Sequence, residues 1–352
     1  MHVKLNNVSI RSIAAALPDQ VFDLTELYDI YNRKEIDEII NANGISKIRI
    51  APEELCASDL CEKAAQQILD NENREKIGAV VFVSQTPDYL LPSTSASLQH
   101  RLGLSKNVAA FDISTGCAGY IYGLFQAALL VSSGSCEAVL VCAGDVITRY
   151  VNLLDKSNRT VLGDAGSATI VEKGTGDMAF SFMTDGSGAE HLIIPAGGAR
   201  YPADENSEMV SVREDGNMRS DEDIFMHGLE IMNFSIREVP GTIDAVLAEK
   251  GWDKSDVTLF GFHQANRFML NYLRKIIRAP AESVPIAMGE TGNTGPASIP
   301  LMLALEHERL SEENRLKKTV LCGFGVGLSC AAAALDLSQA KIKSPKEVAG
   351  TF

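Results

Sequence analysis

Apolar segments recur in the same order in the two halves of this 352-residue chain. In the first half they are residues 77–84 (IGAVVFVS), 138–143 and 165–171. In the second half they are residues 257–262 (VTLFGF), 319–323 and 329–337. Continuous apolar runs of this length are typical of strands buried on both faces, and helical patterns separate them. The repeated order predicts an α/β fold of two similar halves, in which buried mixed sheets are layered with helices.

We place the two halves at residues 1–178 and 179–352. A chain of this length exceeds one simple core, which agrees with two domains or a duplicated fold. Residues 199–223 are polar and acidic, and this composition predicts a surface loop in the second half.

Each half also contains a glycine-flanked corner. Residues 111–120 (FDISTGCAGY) are predicted to end a strand, turn and begin a buried helix. Residues 285–298 (PIAMGETGNTGPAS) are predicted to form a strand, a corner and a helix from about Ala297. A pseudo-twofold relation between the halves would bring Cys117 from one corner and Asn293 from the other to one site.

Cys117 lies between Gly116 and Ala118, at the predicted N-terminus of a helix. Unpaired N–H groups and the helix dipole favour a thiolate there and predict a lowered pKa for the thiol. The thiolate is the nucleophilic form of cysteine. Free cysteine is also among the most buried residue types, so the corner alone leaves two interpretations, a nucleophile or a structural cysteine.

Three further signals are weak singly. His263 directly follows the apolar run 257–262, where α/β sheets carry functional groups, but it could equally be a structural histidine. Asn293 could be an ordinary turn residue. The glycines of residues 323–327 (GFGVG) could form a tight turn or present a backbone N–H to an oxyanion. Their joint occurrence at matching corners of a duplicated chain favours a catalytic site.

The net charge, the hydrophobic pattern and the cysteine spacing exclude several classes of function. The net charge of −14 argues against non-specific nucleic-acid binding. No signal peptide or membrane-spanning run is recognised. Seven cysteines without metal-ligand spacing predict neither a disulfide framework nor a metal site and favour a reducing cytoplasm.

Several of these segments resemble the β-ketoacyl-acyl-carrier-protein synthase III family, a group of condensing enzymes with the thiolase fold. They are FDISTGCAGY, HQAN at 263–266, GNTGPASIP at 292–300, GFGVG at 323–327, TPDYLLPST at 86–94 and VLGDAGSA at 161–168. The resemblance covers nearly the whole chain. It implies that Cys117 accepts the acyl group, with His263 and Asn293 as partners and the backbone N–H groups of Cys117 and Val326 as the oxyanion hole. It also implies a homodimer.

The function that follows is an acyltransferase reaction, the decarboxylative condensation of acyl-Cys117 with a malonyl thioester, in fatty-acid or specialised acyl biosynthesis. The substrates are phosphopantetheine thioesters on acyl carrier protein or coenzyme A, and no metal or redox cofactor is expected. Two alternatives stay open. One is an acyltransferase of the same fold acting on an alcohol or amine, which the amide of Asn293 disfavours because it cannot act as a base. The other is a non-catalytic partner subunit.

A basic row follows His263. At 100° per residue Arg267, Arg274 and Arg278 share one helical face with Lys275 beside it, while Phe268, Met269, Leu273 and Ile276 are expected to face away. The row is either a solvated face or a docking surface for an acidic acyl carrier protein, and we favour docking.

The chain departs from the family in the adenine-binding segment. Where members primed by acetyl-coenzyme A carry a tryptophan and an arginine, this chain has Glu38 and Ala42. We therefore expect carrier protein rather than coenzyme A as the acyl donor. The acyl pocket is assigned to Leu91, at a position that often reaches across the dimer, and to Phe324.

Overall fold

The computed structural model describes residues 1–350. Its strands are β1 His2–Pro18, β2 Val21–Asp23, β3 Lys47–Arg49, β4 Ile77–Val83, β5 Ala109–Ile113, β6 Ala138–Asp145, β7 Ala165–Thr184, β8 Leu192–Ile193, β9 Ser211–Val212, β10 Met218–Arg219, β11 Phe225–Met226, β12 Leu259–Phe262, β13 Thr319–Gly325, β14 Ser329–Leu335, β15 Lys341–Ile342 and β16 Lys346–Val348. Its α-helices are α1 Arg33–Asn43, α2 Ala57–Ala65, α3 Asn71–Lys76, α4 Thr94–Arg101, α5 Gly119–Ser132, α6 Lys156–Arg159, α7 Gly228–Lys250, α8 Arg267–Ile277 and α9 Ser298–Glu312.

One mixed sheet connects the two halves. Its strands follow the order β12-β13-β14-β7-β6-β4-β5, with β1 antiparallel to β7 and flanked by β15 and β16. The first part of β7 pairs with β6, and its last part, Ala179–Thr184, pairs with β14. The boundary that we placed after residue 178 therefore falls inside a strand that both halves share.

The pairing pattern is the same on either side of β7. Strands β4 and β6 are parallel, and β6 is antiparallel to β7. In the second half β12 and β13 are parallel, and β13 is antiparallel to β14. The strands predicted from the apolar runs at 77–84, 138–143, 257–262 and 319–323 are confirmed, as is the α/β class.

The strand predicted at Pro285 is wrong. Residues 285–297 contain no strand and instead form short 3-10 turns, among them Met288–Glu290 and Gly295–Ala297. Proline cannot donate to a sheet ladder, and glycines at 289 and 292 interrupt the apolar run soon after it. The helix that follows begins at Ser298, one residue from its predicted start.

Helices α5 and α9, which begin at the two corners, lie within one core. Side chains of both helices, such as Leu124 and Met302, are fully buried in a cluster with residues of β4, β6 and β13. A Cβ at Gly119, the first residue of α5, would lie 3.6 Å from the Cβ of Pro296, which lies two residues before the start of α9. The N-termini of the two helices thus meet. Within residues 1–350, no helix is long and apolar enough to cross a membrane.

Candidate active site

Cys117 occupies the turn between β5 and α5, and strand β13 lies directly against it. A Cβ at Gly325 would be 2.8 Å from the Cys117 Sγ, and a Cβ at Gly323 would be 2.5 Å from the Cys117 carbonyl oxygen. Real Cβ atoms do not approach this closely, so both positions need glycine. Gly325 also has a φ of +150°, which favours glycine. The glycines at 323 and 325 therefore leave the space that the Cys117 backbone and thiol occupy.

The prediction of a lowered thiol pKa is wrong. Burial raises the pKa of Cys117 to about 11, and the carboxylate of Asp145 raises it further. The backbone N–H groups of Val326 and of Cys117 itself act in the opposite direction because they donate to the sulfur. Desolvation therefore outweighs these two donors, and the resting side chain is a thiol. Those two amides are the pair that the family resemblance implies as the oxyanion hole.

The thiol opens into a cavity of about 300 Å³. Its polar lining comes from Gln85, Ser114, Asp145 and Asn293. Its apolar lining comes from Ile147, Leu162, Leu192, Ile193, Ile194, Ile224, Met226 and Val326. An apolar pocket with a few convergent polar groups is the usual form of a small-molecule site. The two predicted corners therefore do meet at one cavity.

Asn293 is 7% exposed and is held by both halves of the chain. Its backbone N–H donates to the Val161 carbonyl over 2.8 Å, and its carbonyl accepts from the Gly163 N–H over 3.0 Å. Its side-chain Oδ1 accepts from the Gly295 N–H over 3.1 Å. This contact assigns the oxygen to Gly295 and leaves the Nδ2 group as a donor toward the cavity.

His263 lies behind the Asn293 turn and is 1% exposed. Its Nδ1 is 2.7 Å from the Ser298 hydroxyl, and the Gly295 carbonyl accepts a hydrogen bond from the imidazole. Its ring meets Phe324 edge-on, with 5.6 Å between ring centroids. Burial lowers the pKa of His263 to about 4, so the imidazole is neutral at physiological pH.

The structure thus connects all three predicted catalytic residues. Cys117 and Asn293 line the same cavity. His263 joins them through Gly295, which also contacts Asn293, and through Phe324, which lies between the two glycines that touch Cys117. No group of three His, Cys, Asp or Glu side chains suited to a metal ion occurs within residues 1–350.

The acyl-pocket residues require correction. Phe324 does not line the cavity; it packs against His263 and Phe262, because β13 directs it away from the thiol. Leu91 is 83% exposed and does not line the cavity of its own chain either. Its assignment to a pocket remains a prediction that depends on a second copy of the chain.

The sequence analysis did not identify the residues that form the apolar walls of the cavity. Most come from β8, β11 and the residues beside them, which border the loop predicted at 199–223. Segments of two or three apolar residues beside a polar loop carry no periodic signal. Only the pairing of β8 with β11 shows that they form one wall.

Helix α8 ends at Ile277 and carries Arg267, Arg274 and Lys275 of the basic row. Arg278 is its C-cap, in the left-handed region with a φ of 60°, so the prediction that it continues the helical face is wrong. Arg267, Lys275 and Arg278 are exposed and Arg274 is half-buried. Arg267 also donates to the Asn41 carbonyl of α1, which fixes the two helices side by side.

The expectation for the apolar residues of α8 holds only in part. Met269 and Leu273 are buried as expected, but Phe268 is 55% exposed and Ile276 is 37% exposed. Phe268 stacks on the exposed Tyr272, with 6.4 Å between centroids. These side chains share the outer surface with the basic row, since the core holds only one stripe of the helix.

Comparison with known proteins gives consistent matches. The model of 3-oxoacyl-[acyl-carrier-protein] synthase III matches residues 111–186, and that of its C-terminal region matches residues 247–337. A β-ketoacyl-[acyl-carrier-protein] synthase III from Syntrophomonas wolfei is 31% identical over 92% of this chain and 95% of its own. A putative 3-oxoacyl-[acyl-carrier-protein] synthase 3 from Campylobacter jejuni is 29% identical over 98% of both chains. The crystal structure of a 3-oxoacyl-(acyl-carrier-protein) synthase from Burkholderia xenovorans superposes with a TM-score of 0.91 at 35% identity, covering 99% of both chains.

Proposed function

This chain belongs to the 3-oxoacyl-[acyl-carrier-protein] synthase III family, and from that membership we propose that it condenses an acyl group held on Cys117 with a malonyl thioester. Carbon dioxide is lost and a 3-oxoacyl thioester is formed. One observation carries the proposal above all: a single apolar cavity is lined by the Cys117 thiol and the Asn293 amide, and His263 is held directly behind the turn that orients this amide.

In the first half-reaction the Cys117 sulfur attacks the carbonyl of an acyl thioester. A new carbon–sulfur bond forms, the donor thiolate leaves, and it takes up the proton that Cys117 gives up. The Cys117 and Val326 N–H groups, which already face the sulfur, stabilise the tetrahedral oxyanion. Because the thiol pKa is about 11 and the His263 pKa about 4, the resting pair is neutral, and the proton leaves only when substrate is bound.

In the second half-reaction a malonyl thioester loses carbon dioxide, and the electron pair of the broken bond moves onto the thioester enolate. Asn293 Nδ2 donates to the enolate oxygen. We propose that the neutral His263, whose Nδ1 accepts from Ser298, adds a second donor when its Nε2–H turns from the Gly295 carbonyl to the same oxygen. The enolate carbon then attacks the acyl-Cys117 carbonyl. A carbon–carbon bond forms, the bond to sulfur breaks, and the Cys117 thiolate takes up a proton from solvent.

These residues supply the nucleophile and both electrophilic donors, so we propose that no metal or redox cofactor takes part. The cavity of about 300 Å³ lies at the small end of the range for ligand pockets, which is roughly 300–1,000 Å³. We therefore propose a short or medium-length acyl group rather than a long-chain one. A carboxylate at Asn293 would suit acyl transfer to an alcohol or amine better than the amide that is present.

We propose acyl carrier protein as the partner, docked on the outer face of α8. Lys275 and Arg278 offer charge to an acidic partner, and the exposed Phe268–Tyr272 stack offers apolar contact. The adjacent α1 exposes Glu38 and Ala42 where an adenine-stacking residue would be needed. Carrier protein is accordingly the proposed acyl donor in preference to coenzyme A.

We also propose a homodimer in the cytoplasm. The loop before α4 exposes three consecutive apolar side chains, Tyr89 by 67%, Leu90 by 96% and Leu91 by 83%. A continuous apolar projection of this kind is typical of an interface. Its burial by a second copy would also bring Leu91 near that copy's cavity.

Intact-mass measurement tests the condensation proposal. The protein is exposed to short, medium, long and branched acyl thioesters, each on coenzyme A and on carrier protein, with Cys117→Ala as the control. We expect a mass gain of one acyl group, absent from the control, and release of a 3-oxoacyl product when malonyl thioester follows. Loading without condensation would favour the acyltransferase alternative, and no loading from any donor would favour a partner subunit.

A charge reversal tests the docking face. Lys275→Glu should raise KM for malonyl-carrier protein about tenfold with kcat unchanged, since rim charges act mainly on association. Turnover with malonyl-coenzyme A should not change. Lys343→Glu reverses another exposed lysine, outside α8, and is the matched control. Equal effects of the two variants would refute the docking face.

A further inference from the structure

The cavity contains a second titratable side chain that the condensation chemistry does not use. Asp145 is the last residue of β6 and is 2% exposed. Its Oδ1 accepts from the Ser84 hydroxyl over 2.8 Å and from the Gln85 N–H over 2.7 Å. The N–H and hydroxyl of Thr86 add contacts of 3.2 and 3.3 Å. One oxygen therefore holds the whole turn that follows β4.

The other oxygen faces the second corner. A Cβ at Gly295 would lie 2.9 Å from Asp145 Oδ2, so the carboxylate packs against the Cα of the residue that contacts both Asn293 and His263. On the near side, Gln85 reaches the corner of the nucleophile, where its Oε1 fills the space beside Gly116. Asp145 thus connects the turn beside Cys117 to the turn beside Asn293.

The charge of this carboxylate is not neutralised nearby. Of the side chains that line the cavity, only Cys117 and Asp145 titrate, and no lysine or arginine is among them. His263 lies behind Gly295 and is neutral because burial lowers its pKa to about 4. Burial raises the pKa of Asp145 to about 6, since the hydrogen bonds to Oδ1 offset only part of its desolvation, so the group is anionic above that pH.

We propose that Asp145 is a positioning residue that adds to the effect of burial in keeping Cys117 protonated between turnovers: its fixed negative charge borders the same apolar cavity and opposes a free thiolate. The thiol then gives up its proton only when a bound thioester receives the sulfur. This protects the nucleophile from oxidants and stray electrophiles. The inference rests on Cys117 being the nucleophile of the proposed function, but it needs no turnover to be tested.

Asp145→Asn isolates the charge. Asparagine keeps an acceptor for the Ser84, Gln85 and Thr86 donors and replaces the second oxygen by a neutral amide. Asp164→Asn is the matched control, because Asp164 is also fully buried, has a pKa raised to about 6 by burial, and accepts from Ala51 and Thr148, but it does not line the cavity.

The measurement is the rate at which iodoacetamide alkylates Cys117 between pH 5 and 11, followed by mass spectrometry of the Cys117 peptide. In this reaction sulfur forms a bond to carbon, iodide leaves, and the thiol proton goes to solvent. Removal of the charge should move the rising limb of the rate–pH profile about one pH unit lower and raise the rate at pH 7.5 about tenfold. An unmoved profile, or the same shift in Asp164→Asn, would overturn the proposal.

The unsubstituted protein provides a second measurement if Asp145→Asn does not fold. Coupled groups titrate in two steps, so the logarithm of the alkylation rate should rise less steeply around pH 6, where Asp145 ionises, than below or above it. A straight rise through this range would contradict the proposal. Either result is independent of whether malonyl thioesters are condensed, so failure of this inference is distinguishable from failure of the proposed function.

Discussion

The two corners of the site are built differently although they occupy equivalent places in the two halves. The Cys117 corner is a continuous strand, turn and helix, from β5 to α5. The Asn293 corner has no preceding strand, and its backbone is instead bonded to Val161 and Gly163 of the first half. The nucleophile is therefore positioned by its own segment with β13 packed against it, whereas the amide is positioned by backbone hydrogen bonds to the other half.

Because of this difference, we expect substitutions at the two corners to have different effects on activity and stability. Changes at the Asn293 corner that preserve the backbone should affect chemistry alone, because that backbone is anchored from outside. Changes in β13 beside Cys117 should affect chemistry and stability together, because β13 closes on the backbone of the nucleophile itself. The following substitutions test this contrast.

Asn293→Asp should have the largest effect. The carboxylate still accepts from Gly295 but no longer donates to the enolate, so condensation should fall about 10²–10³-fold. Loading of Cys117 should continue, as seen by intact mass. Asn107→Asp makes the same chemical change at an exposed position and should have no effect. Loss of loading together with condensation would mean that this corner also positions the nucleophile.

Gly323→Ala should reduce both stability and loading. Its Cβ would lie 2.5 Å from the Cys117 carbonyl and 2.7 Å from the Ala118 Cα, and neither backbone atom can move aside freely. We expect the free energy of unfolding to fall by about 1–3 kcal/mol in denaturant titration. Gly241→Ala, in an open position on α7, should leave stability equal or slightly higher. A stable Gly323→Ala protein with normal loading would show that β13 yields to the nucleophile.

Ser298→Ala should have a moderate effect. Removal of the hydroxyl 2.7 Å from His263 Nδ1 frees the tautomer of the imidazole, and kcat for condensation should fall about tenfold with KM unchanged. Ser235→Ala removes a buried hydroxyl that bonds only within α7, and it serves as the control for loss of a buried serine. A change confined to KM would assign Ser298 to substrate binding instead.

The effect that is smallest near neutral pH is a dependence of stability on pH. Burial lowers the pKa of His263 from 6.5 to about 4, so this residue binds more protons in the unfolded chain between these values, and the contribution of His263 to stability rises with pH across that window. The total is about 3 kcal/mol, and His263→Gln should lack it in denaturant titrations from pH 4 to 7. Nitrogen-15 chemical shifts of the ring give the pKa directly, and a value near 6.5 would contradict the neutral, buried imidazole.

Much of the site could be read from the sequence. The corner at Gly116 and Cys117 and the alternate glycines of 323–327 are local patterns. Their residue types and spacing are enough to indicate a tight turn at each place. The buried strands could be predicted because continuous apolar runs of six or seven residues are typical of strands buried on both faces. His263 and Asn293 gained significance only from their places in the repeated order, which is still sequence information.

Other features depended on surroundings that the sequence does not display. The thiol pKa of Cys117 was predicted too low because the helix N-terminus is a local effect, whereas burial, which dominates it, comes from strands distant in the chain. The same reason explains why the pocket was assigned to Phe324 rather than to Ile193 and Met226, which only a short strand pairing brings together.

The amino-acid sequence by itself thus determined the duplicated α/β order, the corner that carries Cys117 and the residue types that the reaction needs. Only the tertiary structure decided that the first half anchors the Asn293 backbone, which side chains enclose the acyl cavity, and that Asp145 lines this cavity together with the thiol. The physical reason is range: propensity and periodicity act over a few residues, whereas desolvation and charge depend on every segment that packs around a group.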